Sequence, residues 1–491
     1  MAKDFIVAIE LGSSKITGMA GKKNPDGSIT ILAAASEDST SYIRKGVVYS
    51  IDKTTQGLSN IISKLKNSLQ ADITQVYVGI GGQSIHSVKN MVIKDLPMDA
   101  IVSQGMVNEL MDTNRNMTYP DYEIQDAITE EYKVDLQYQN DPVGIQASRL
   151  EGNFLNILWR RSFYRNLNKS FDNAGIAIAE TYLAPLVMAD NVLTESEKRA
   201  GCALVDLGAE TTTVSVYYRD KLRSIAVIPI GGDNITKDLE SLQMETNEAE
   251  RMKLKYGSAI TDVADIDPTA ILPIDSNRSV ESRRFIEVVE ARTLEIIENV
   301  KNFIPAEYND KLLGGIVITG GGSNMTNIEK AFREIVGVDK VRVAKFVTLN
   351  INSKDSKPEL RHDGTMNTIL SLVARGDMNC AGNPFGSSLF DNQQFNAAFT
   401  NNGTPSATTN GTATTTATQA AATTPHETEE ERRLREEKER IAKEEAERIK
   451  REEEERKAKE EEERKKNSPI HRFFGSLKQF GRSLVEPENN E

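Results

Sequence analysis

The sequence is poor in cysteine and histidine and contains no long apolar run. Only two cysteines, Cys202 and Cys380, and four histidines occur among 491 residues. The cysteine spacing fits neither a disulfide framework nor a zinc site, which predicts two buried thiols and a reducing, cytoplasmic compartment. No stretch of about 18 consecutive apolar residues occurs, so we predict no membrane-spanning helix. The pattern of an apolar strand begins within the first few residues, so we predict no signal peptide.

The chain also lacks an excess of basic residues. It contains 60 Lys and Arg against 73 Asp and Glu, a formal net charge of −13 at pH 7. Because binding to a phosphate backbone requires a positive field, we predict no nucleic acid among the partners. Hydrophobic residues make up only 38% of the chain, since the region after about residue 385 is almost entirely polar. Only the part before it is predicted to be globular.

A short pattern occurs near the start of the chain and again in its middle. Residues 7–15 read VAIELGSSK, and residues 204–212 read LVDLGAETT. Each copy predicts a β-hairpin with a polar turn, in which Gly12 or Gly208 lets backbone N–H groups approach a phosphate. Glu10 and Asp206, at the strand ends, are expected to hold the hydration shell of Mg²⁺. A single copy also fits an ordinary hairpin with a polar tip, but the pair predicts a clamp for a nucleoside triphosphate. Neither is a P-loop or a dinucleotide fingerprint.

A third stretch extends this prediction. Residues 312–319 form an apolar run, and Gly320, Gly321 and Gly322 follow it directly. Successive glycines predict a flat surface without side chains, on which a purine and its α-phosphate lie. Thr326 and Glu329 have the spacing of a capping box, which predicts the start of a helix.

These motifs, in this order, resemble those of the actin, Hsp70 and sugar-kinase superfamily. Within it the sequence is most similar to the FtsA family of bacterial cell division proteins, from residue 5 to about residue 385 and again at the C-terminus. The residues that carry the resemblance are 8–15, 141–144, 205–208, 230–236, 248–251, 253–257 and 318–322.

The resemblance implies an α/β fold of the actin-like, two-lobed ATPase type with an FtsA-type inserted subdomain. The implied divisions are subdomain 1A (1–83 and 166–200), the inserted subdomain 1C (84–165), subdomain 2A (201–230 and 306–385) and subdomain 2B (231–305). In the family, subdomain 1C contacts neighbouring subunits and other division proteins. Trp159, inside this insert, is expected to be half-buried in a packing role.

The resemblance also implies ATP and Mg²⁺ as cofactors, with Glu10 and Asp206 holding the water molecules of the metal. The implied nucleotide-binding residues are Gly12, Ser13, Ser14, Lys15, Gly208, Ala209, Thr211, Gly231, Gly232, Glu250, Lys253, Gly320, Gly321, Gly322 and Asn324. Glu250 and Lys253 share a helix face that reaches the ribose in the superfamily. Taken alone, the two residues equally fit a solvated ion pair.

One expected catalytic group is missing. In hydrolytic members of the superfamily, a Glu or Gln just before a helix that starts with proline orients the attacking water, but this chain has Ala184 before Pro185. Alanine cannot position water, so we predict at most a slow ATPase. Glu180 is the alternative source of a carboxylate.

Two arginines of the second lobe match positions that dock the C-terminal tail of FtsZ in the FtsA family. These are Arg278 and Arg292, and the latter falls within the apolar stripe of a predicted helix over residues 280–302. An arginine in that position is either paired internally with a carboxylate or left at an exposed edge for a partner.

The last part of the chain changes composition sharply. Residues 386–426 predict a flexible linker, and residues 427–466, nearly all Glu, Arg and Lys, predict a charged helical spacer. Residues 468–486 predict an amphipathic helix with Ile470, Phe473, Phe474, Leu477, Phe480 and Leu484 on one side and Arg472, Lys478 and Arg482 on the other. Such a helix fits an anionic membrane surface, as in FtsA, although docking on the core or in the groove of a partner is an alternative.

Together these features imply an ATP-binding cell division protein that polymerises at the cytoplasmic face of the inner membrane, anchors FtsZ filaments there and recruits later division proteins. The alternatives are a small-molecule kinase of the same superfamily, and an MreB-like or PilM-like protein. The missing catalytic acid and the amphipathic helix count against a kinase, the insert counts against MreB, and the terminal helix counts against PilM.

Overall fold

The computed structural model describes residues 4–97, 100–262, 267, 269–353 and 359–384. The predicted linker (386–426), charged spacer (427–466) and amphipathic helix (468–486) lie outside these residues. Within the described part, no helix is long and apolar enough to cross a membrane.

The first lobe begins with the predicted hairpin, and an amphipathic helix follows it. Its first elements are β1 (Ile6–Leu11), β2 (Lys15–Lys23), β3 (Ile29–Asp38), β4 (Ile43–Arg44), β5 (Val47–Val48), α1 (Ile51–Leu69), β6 (Ala71–Ile73) and β7 (Gln75–Ile80). Helix α1 buries Leu58, Ile61 and Leu65 against the sheet, as their helical spacing predicts.

The insert follows as an antiparallel sheet covered by one helix. Its elements are β8 (His86–Asp95), α2 (Gln104–Arg115), β9 (Tyr122–Val134), β10 (Gln137–Gln139) and β11 (Arg149–Arg160). Leu110 of α2 packs with Leu150 and Phe154 of β11 in a core separate from those of the two lobes. The Ser103 hydroxyl accepts the N–H of Met106 and caps α2.

The chain then returns to the first lobe through α3 (Arg161–Ala174), β12 (Ala177–Leu183), α4 (Ala184–Val192) and α5 (Glu195–Ala200). The expected subdomain boundary between residues 165 and 166 falls inside α3, which packs against α1. The expectation that Trp159 is half-buried is wrong. Its side chain is 1% exposed, because it belongs to the core of the first lobe, where it contacts Phe163 and Tyr164.

The second lobe contains the second copy of the hairpin. Its elements are β13 (Cys202–Leu207), β14 (Thr212–Tyr218), β15 (Lys221–Ile228), α6 (Gly232–Glu240), α7 (Thr246–Tyr256), β16 (Ile271–Pro273), β17 (Ser279–Glu281), α8 (Ser282–Phe303), β18 (Gly315–Thr319), α9 (Ile328–Val336) and β19 (Val341–Val343). The last elements of the described chain are β20 (Ile351–Ser353), α10 (Asn367–Arg375) and β21 (Ala381–Pro384).

The two lobes repeat one strand arrangement. In the first, the order is β12-β7-β1-β2-β3, and in the second it is β19-β18-β13-β14-β15. In each, the first three strands are parallel, the hairpin connects the third strand to an antiparallel fourth, and the fifth is antiparallel to the fourth. This repetition confirms the predicted two-lobed α/β architecture.

The predicted capping box at the start of α9 is wrong. Asn327 precedes the helix in the left-handed conformation, with a φ of 62°, and makes no side-chain cap. Thr326 lies in an extended bridge with Ser258, and Glu329 uses its carboxylate to accept the N–H of Val343. The local spacing is correct for a cap, but contacts with distant strands determine the conformation.

Candidate functional site

The two hairpin turns have the same internal geometry. The N–H of Gly12 donates to the carbonyl of Lys15 at 3.0 Å, and the N–H of Gly208 donates to the carbonyl of Thr211 at 2.9 Å. A Cβ atom added to either glycine would lie 2.8 Å from that same carbonyl oxygen. Glycine is therefore required at both positions because the backbone closes tightly on itself.

Both turns face one cavity of about 700 Å³, a volume within the usual range of small-molecule sites. Each residue that the sequence predicts for nucleotide or metal binding lines this cavity. They come from both hairpins, from the start of α6, from α7 and from the glycine turn after β18. The fold thus brings together positions that are separated by more than 300 residues along the chain.

Glu10 and Asp206 lie close enough in the cavity to influence each other. Burial raises the pKa of Asp206 to about 6. Burial and then the charge of Asp206 raise the pKa of Glu10 to about 7, although Lys15 opposes this effect. A divalent cation would stabilise the charged forms of these two carboxylates.

This acid pair fits the requirements of Mg²⁺. The described residues contain no group of three or more His, Cys, Asp or Glu that could hold a metal. Mg²⁺, however, commonly uses one or two carboxylates together with phosphate oxygens and keeps several water molecules. Glu10 and Asp206 would therefore be sufficient protein ligands for Mg²⁺ that arrives with a nucleotide.

The three glycines after β18 differ in their surroundings. Gly320 has a φ of +83°, and a Cβ there would lie 2.3 Å from the Asp206 carboxylate. A Cβ at Gly322 would lie 2.8 Å from the Leu207 side chain. At Gly321 the nearest atom, the Thr365 methyl group, is 3.7 Å away. Gly321 is therefore the glycine whose missing side chain leaves space in the cavity.

Helix α7 presents a connected polar group to the cavity. The Lys253 ammonium lies 2.6 Å from the Glu250 carboxylate and donates to the carbonyl of Gly232 at 3.0 Å. Both side chains also bond to the Thr236 hydroxyl. The ion pair is formed, as the spacing predicts, but its Lys253 side chain is only 9% exposed. Lys253 is therefore a fixed part of the cavity wall, while the Glu250 side chain keeps 41% of its surface exposed.

Ala184 lies at the cavity, where it begins α4 ahead of Pro185. Glu180, the alternative source of a carboxylate, is not among the residues that line the cavity. It is exposed on β12, and its carboxylate accepts the Tyr182 hydroxyl at 2.6 Å. Glu180 therefore does not replace the missing side chain at Ala184.

The turn between β4 and β5 forms hydrogen bonds with both hairpins and so links them across the cleft. The backbone N–H of Lys45 donates to the Glu210 carboxylate at 2.6 Å, and the N–H of Gly46 donates to the Ser13 hydroxyl at 2.8 Å. Glu210 also pairs with Lys237 at 3.5 Å. Sequence reasoning missed this contact, because the β4–β5 turn carries no recognisable ligand motif.

The loop before α10 contributes cavity residues that the sequence prediction did not include. Arg361, Asp363 and Thr365 of this loop line the cavity beside the glycine turn, together with Thr368 in the first turn of α10. The Asn324 amide donates to the carbonyl of Asp363 at 2.7 Å and ties the loop to that turn. The Asp363-Gly364 dipeptide, a turn signal just ahead of a helical pattern, is the sequence feature that marks this loop.

Arg278 and Arg292 lie on the second lobe, away from the cavity lining. Arg292 forks onto Asp238 at 2.6 and 3.0 Å, which joins α8 to α6. Arg278, between β16 and β17, pairs with Asp275 and Glu248 and keeps 44% of its side chain exposed. Of the two possibilities for Arg292, internal pairing with a carboxylate is the one observed.

Two family models match parts of this chain. The family model described as cell division protein FtsA matches residues 203–360, and the model described as the SHS2 domain inserted in FtsA matches residues 82–158. The second match coincides with the separate core formed by β8, α2, β9, β10 and β11.

Individual relatives extend the match over most of the described chain. Cell division protein FtsA of Porphyromonas gingivalis is 32% identical over 336 residues, which are 67% of this chain and 70% of that protein. FtsA of Neisseria meningitidis serogroup B is 31% identical, covering 70% of this chain and 88% of its own length.

A solved structure supports the fold independently. The PilM-PilN type IV pilus biogenesis complex superposes with a TM-score of 0.52 at 14% identity, over 75% of this chain and 98% of that chain. At this identity the similarity concerns the fold alone, and it agrees with the predicted actin-like architecture.

The two family models and the FtsA relatives, which align over two thirds or more of this chain, favour FtsA over the kinase, MreB-like and PilM-like alternatives. The chain belongs to the FtsA family of cell division proteins.

Proposed function

We propose that this protein binds ATP with Mg²⁺ in the cleft, polymerises at the cytoplasmic face of the inner membrane and tethers FtsZ filaments there during division. The observation that carries the proposal is the single cavity in which both hairpin turns, the Glu10 and Asp206 pair and the glycine turn meet. The similar proteins described as cell division protein FtsA support the role in division.

Each part of the cavity suits one part of the nucleotide. The backbone of the turns at Gly12 and Gly208 would bind the phosphates, and Mg²⁺ held by the acid pair would neutralise their charge. The surface at Gly321 would support the purine, and Glu250 on α7 would reach the ribose. Because these groups belong to both lobes, a bound nucleotide would hold the lobes in one closed arrangement suited to polymerisation.

Turnover is expected to be slow, on the order of one per minute or less, against a typical enzyme median of about 10 s⁻¹. Ala184 gives the attacking water no orienting group, and Glu180 is turned away from the cavity. The measurement is phosphate release by the purified protein with Mg-ATP. Release at several per second that disappears in Asp206→Ala would contradict this expectation, because it would show an efficient catalytic group in the cleft.

The FtsZ tail is proposed to bind at the face that carries Arg278 and Arg292. Acidic side chains of the tail would exchange with the carboxylates that now pair with these arginines, in particular Glu248 and Asp275 around the exposed Arg278. We expect Arg278→Glu with Arg292→Glu to abolish binding of a tail peptide in a fluorescence titration while ATP binding persists.

A matched control for the tail experiment lies on the same helix. Arg283, at the start of α8, is 67% exposed, and within the described part of the chain its ion pair is with Glu287, so Arg283→Glu should leave peptide binding unchanged. Arg292 also joins α8 to α6, so its substitution could lower the stability of the protein. The single variant Arg278→Glu and a melting curve of each protein therefore distinguish a loss of binding from a loss of folding. Normal peptide binding by the folded double variant would remove these arginines from the site.

The proposed role as a whole is tested by co-sedimentation. FtsZ filaments are mixed with anionic liposomes and with either the full chain or a chain lacking the last 24 residues, 468–491. We expect FtsZ in the liposome pellet only with the full chain and Mg-ATP. Sedimentation of FtsZ with both proteins would show that the tether does not require the terminal helix. Contacts of the insert, residues 84–165, with other division proteins are part of the same proposal.

A further inference from the structure

The cavity wall carries more acid than a nucleotide site can tolerate without cations. Among the described residues that line it, five are carboxylates: Glu10, Asp206, Asp233, Glu250 and Asp363. A nucleoside triphosphate would add several further negative charges to this space. The cations available to the phosphates therefore decide how tightly the ligand binds.

Three cationic side chains line the same cavity: Lys15, Lys253 and Arg361. Lys253 is already occupied by the Glu250 carboxylate, the Gly232 carbonyl and the Thr236 hydroxyl. In the described part of the chain, no ion pair is formed by Lys15 or by Arg361. These two cations remain available for an anionic ligand.

The loop that carries Arg361 is held on the C-terminal side of this residue. The Asp363 carboxylate accepts both the N–H and the hydroxyl of Thr365, and the Gly364 N–H donates to the carbonyl of Lys345 at 2.7 Å. The His362 ring stacks on Phe346 with centroids 3.9 Å apart. Arg361 therefore projects from a fixed backbone, and little order has to be gained when it binds a ligand.

The charge of Arg361 already acts on Lys15 without a ligand. Burial lowers the pKa of the Lys15 ammonium, and the positive charge of Arg361 lowers this pKa further, while Glu10 and Asp363 oppose the effect. Two cations that repel each other across a cavity favour an anion between them. The planar guanidinium is also suited to contact two phosphate oxygens at once.

We infer that Arg361 is a phosphate-binding residue, which acts with Lys15 on the phosphate chain of the nucleotide and not on its base or ribose. The inference rests on the proposed function, because it assigns a further ligand group to the same cleft. Its specific consequence is that Arg361 affects ligands that carry phosphates and leaves the unphosphorylated nucleoside unaffected.

The test is calorimetric titration of the full-length protein and of Arg361→Gln with Mg-ATP, Mg-ADP and adenosine. A charge-assisted hydrogen bond to an ionised group corresponds to roughly a 10- to 100-fold change in affinity. We expect losses of this size for ATP and ADP and no change for adenosine. Arg361→Lys, which keeps the charge without the planar fork, should lose less.

Arg375→Gln provides a matched control. Arg375 ends the helix that follows the same loop, and its guanidinium lies over the Tyr182 ring at 5.7 Å, outside the cavity lining. This variant removes the same charge and should bind all three ligands as the unmodified chain does. Equal losses in both variants would mean that a general field effect, and not Arg361, is responsible.

The other outcomes are distinct. If the unmodified chain binds no nucleotide, the proposed function itself fails. If it binds ATP and Arg361→Gln binds ATP equally well, only the assignment of Arg361 is overturned. If Arg361→Gln weakens adenosine as much as ATP, Arg361 supports the shape of the pocket and does not bind phosphate.

Discussion

Gly321→Val is expected to weaken Mg-ATP binding by roughly a hundredfold, close to the upper end of what overpacking a filled site costs. Among the described residues, the neighbour that a Cβ at this position meets within 4 Å is the Thr365 methyl group, at 3.7 Å. The backbone therefore accepts the substitution, and the two additional methyl groups extend into the space where the purine would lie. Calorimetric titration with Mg-ATP measures the affinity, and thermal unfolding of the same samples measures stability.

Neighbouring glycines make the comparison sharper. Gly320→Ala places a methyl group against the Asp206 carboxylate, at a φ of +83° that L residues rarely adopt. It should lower stability as well as binding, whereas Gly321→Val should change the free energy of unfolding by less than about 1 kcal/mol. Gly105→Val, in α2 of the insert, has only the Ser103 hydroxyl near its Cβ, at 3.7 Å. It makes the same substitution at a residue that does not line the cavity and should leave ATP binding unchanged.

Unchanged ATP affinity in Gly321→Val would remove the glycine turn from the nucleotide site. A large loss of stability in this variant would also contradict the structure, because it would mean that Gly321 is packed against protein atoms. Only the combination of lost binding and retained stability agrees with a surface that faces a ligand.

The parts of the fold that the sequence predicted correctly depend on local chemistry. The two hairpins follow from apolar strands that end in a carboxylate and a tightly closed turn at Gly12 or Gly208. Helix α1, residues 51–69, follows from apolar residues with a helical period. Since the two hairpins are similar copies, their joint contribution to one cavity could also be predicted.

The parts that the sequence did not reveal depend on contacts between distant residues. Arg361 enters the cavity because the Asn324 amide ties its loop to the glycine turn. The Glu210 carboxylate meets the Lys45 backbone across the cleft, a pairing over 165 residues that has no local signature. The periodicity of α8 left two possibilities for Arg292, and only the position of Asp238 on another helix decided between them.

Membrane attachment is the second large effect that we expect, and it concerns residues 468–486, outside the described part of the chain. A helix over these residues places Ile470, Phe473, Leu477, Phe480 and Leu484 on one side. Burying these side chains at the interface contributes several kcal/mol after allowance for partial immersion, at roughly 1.5 to 3 kcal/mol for a fully buried large apolar side chain. Arg472, Lys478 and Arg482 each add about 1 kcal/mol near anionic lipid.

These contributions are sufficient for reversible binding of a single helix. In a polymer, many such helices act on one surface, and multivalency strengthens the attachment without any new contact. The attachment should therefore depend on the apolar side of the helix, on the basic side and on polymerisation, and these three contributions can be separated by mutation.

Phe473→Glu with Phe480→Glu places two charges within the apolar side and removes no basic residue. We expect this double variant to remain in the supernatant with anionic liposomes while it still binds ATP and the FtsZ tail.

Gln479→Glu with Ser483→Glu introduces the same two charges on the polar side and serves as the control. Because both variants change the net charge equally, electrostatic repulsion from the lipid weakens both to a similar extent, and only the first also loses insertion. If the first variant sediments as the unmodified chain does, this helix is not the anchor. If both variants stay in solution to the same degree, attraction to anionic lipid and not apolar insertion carries the attachment.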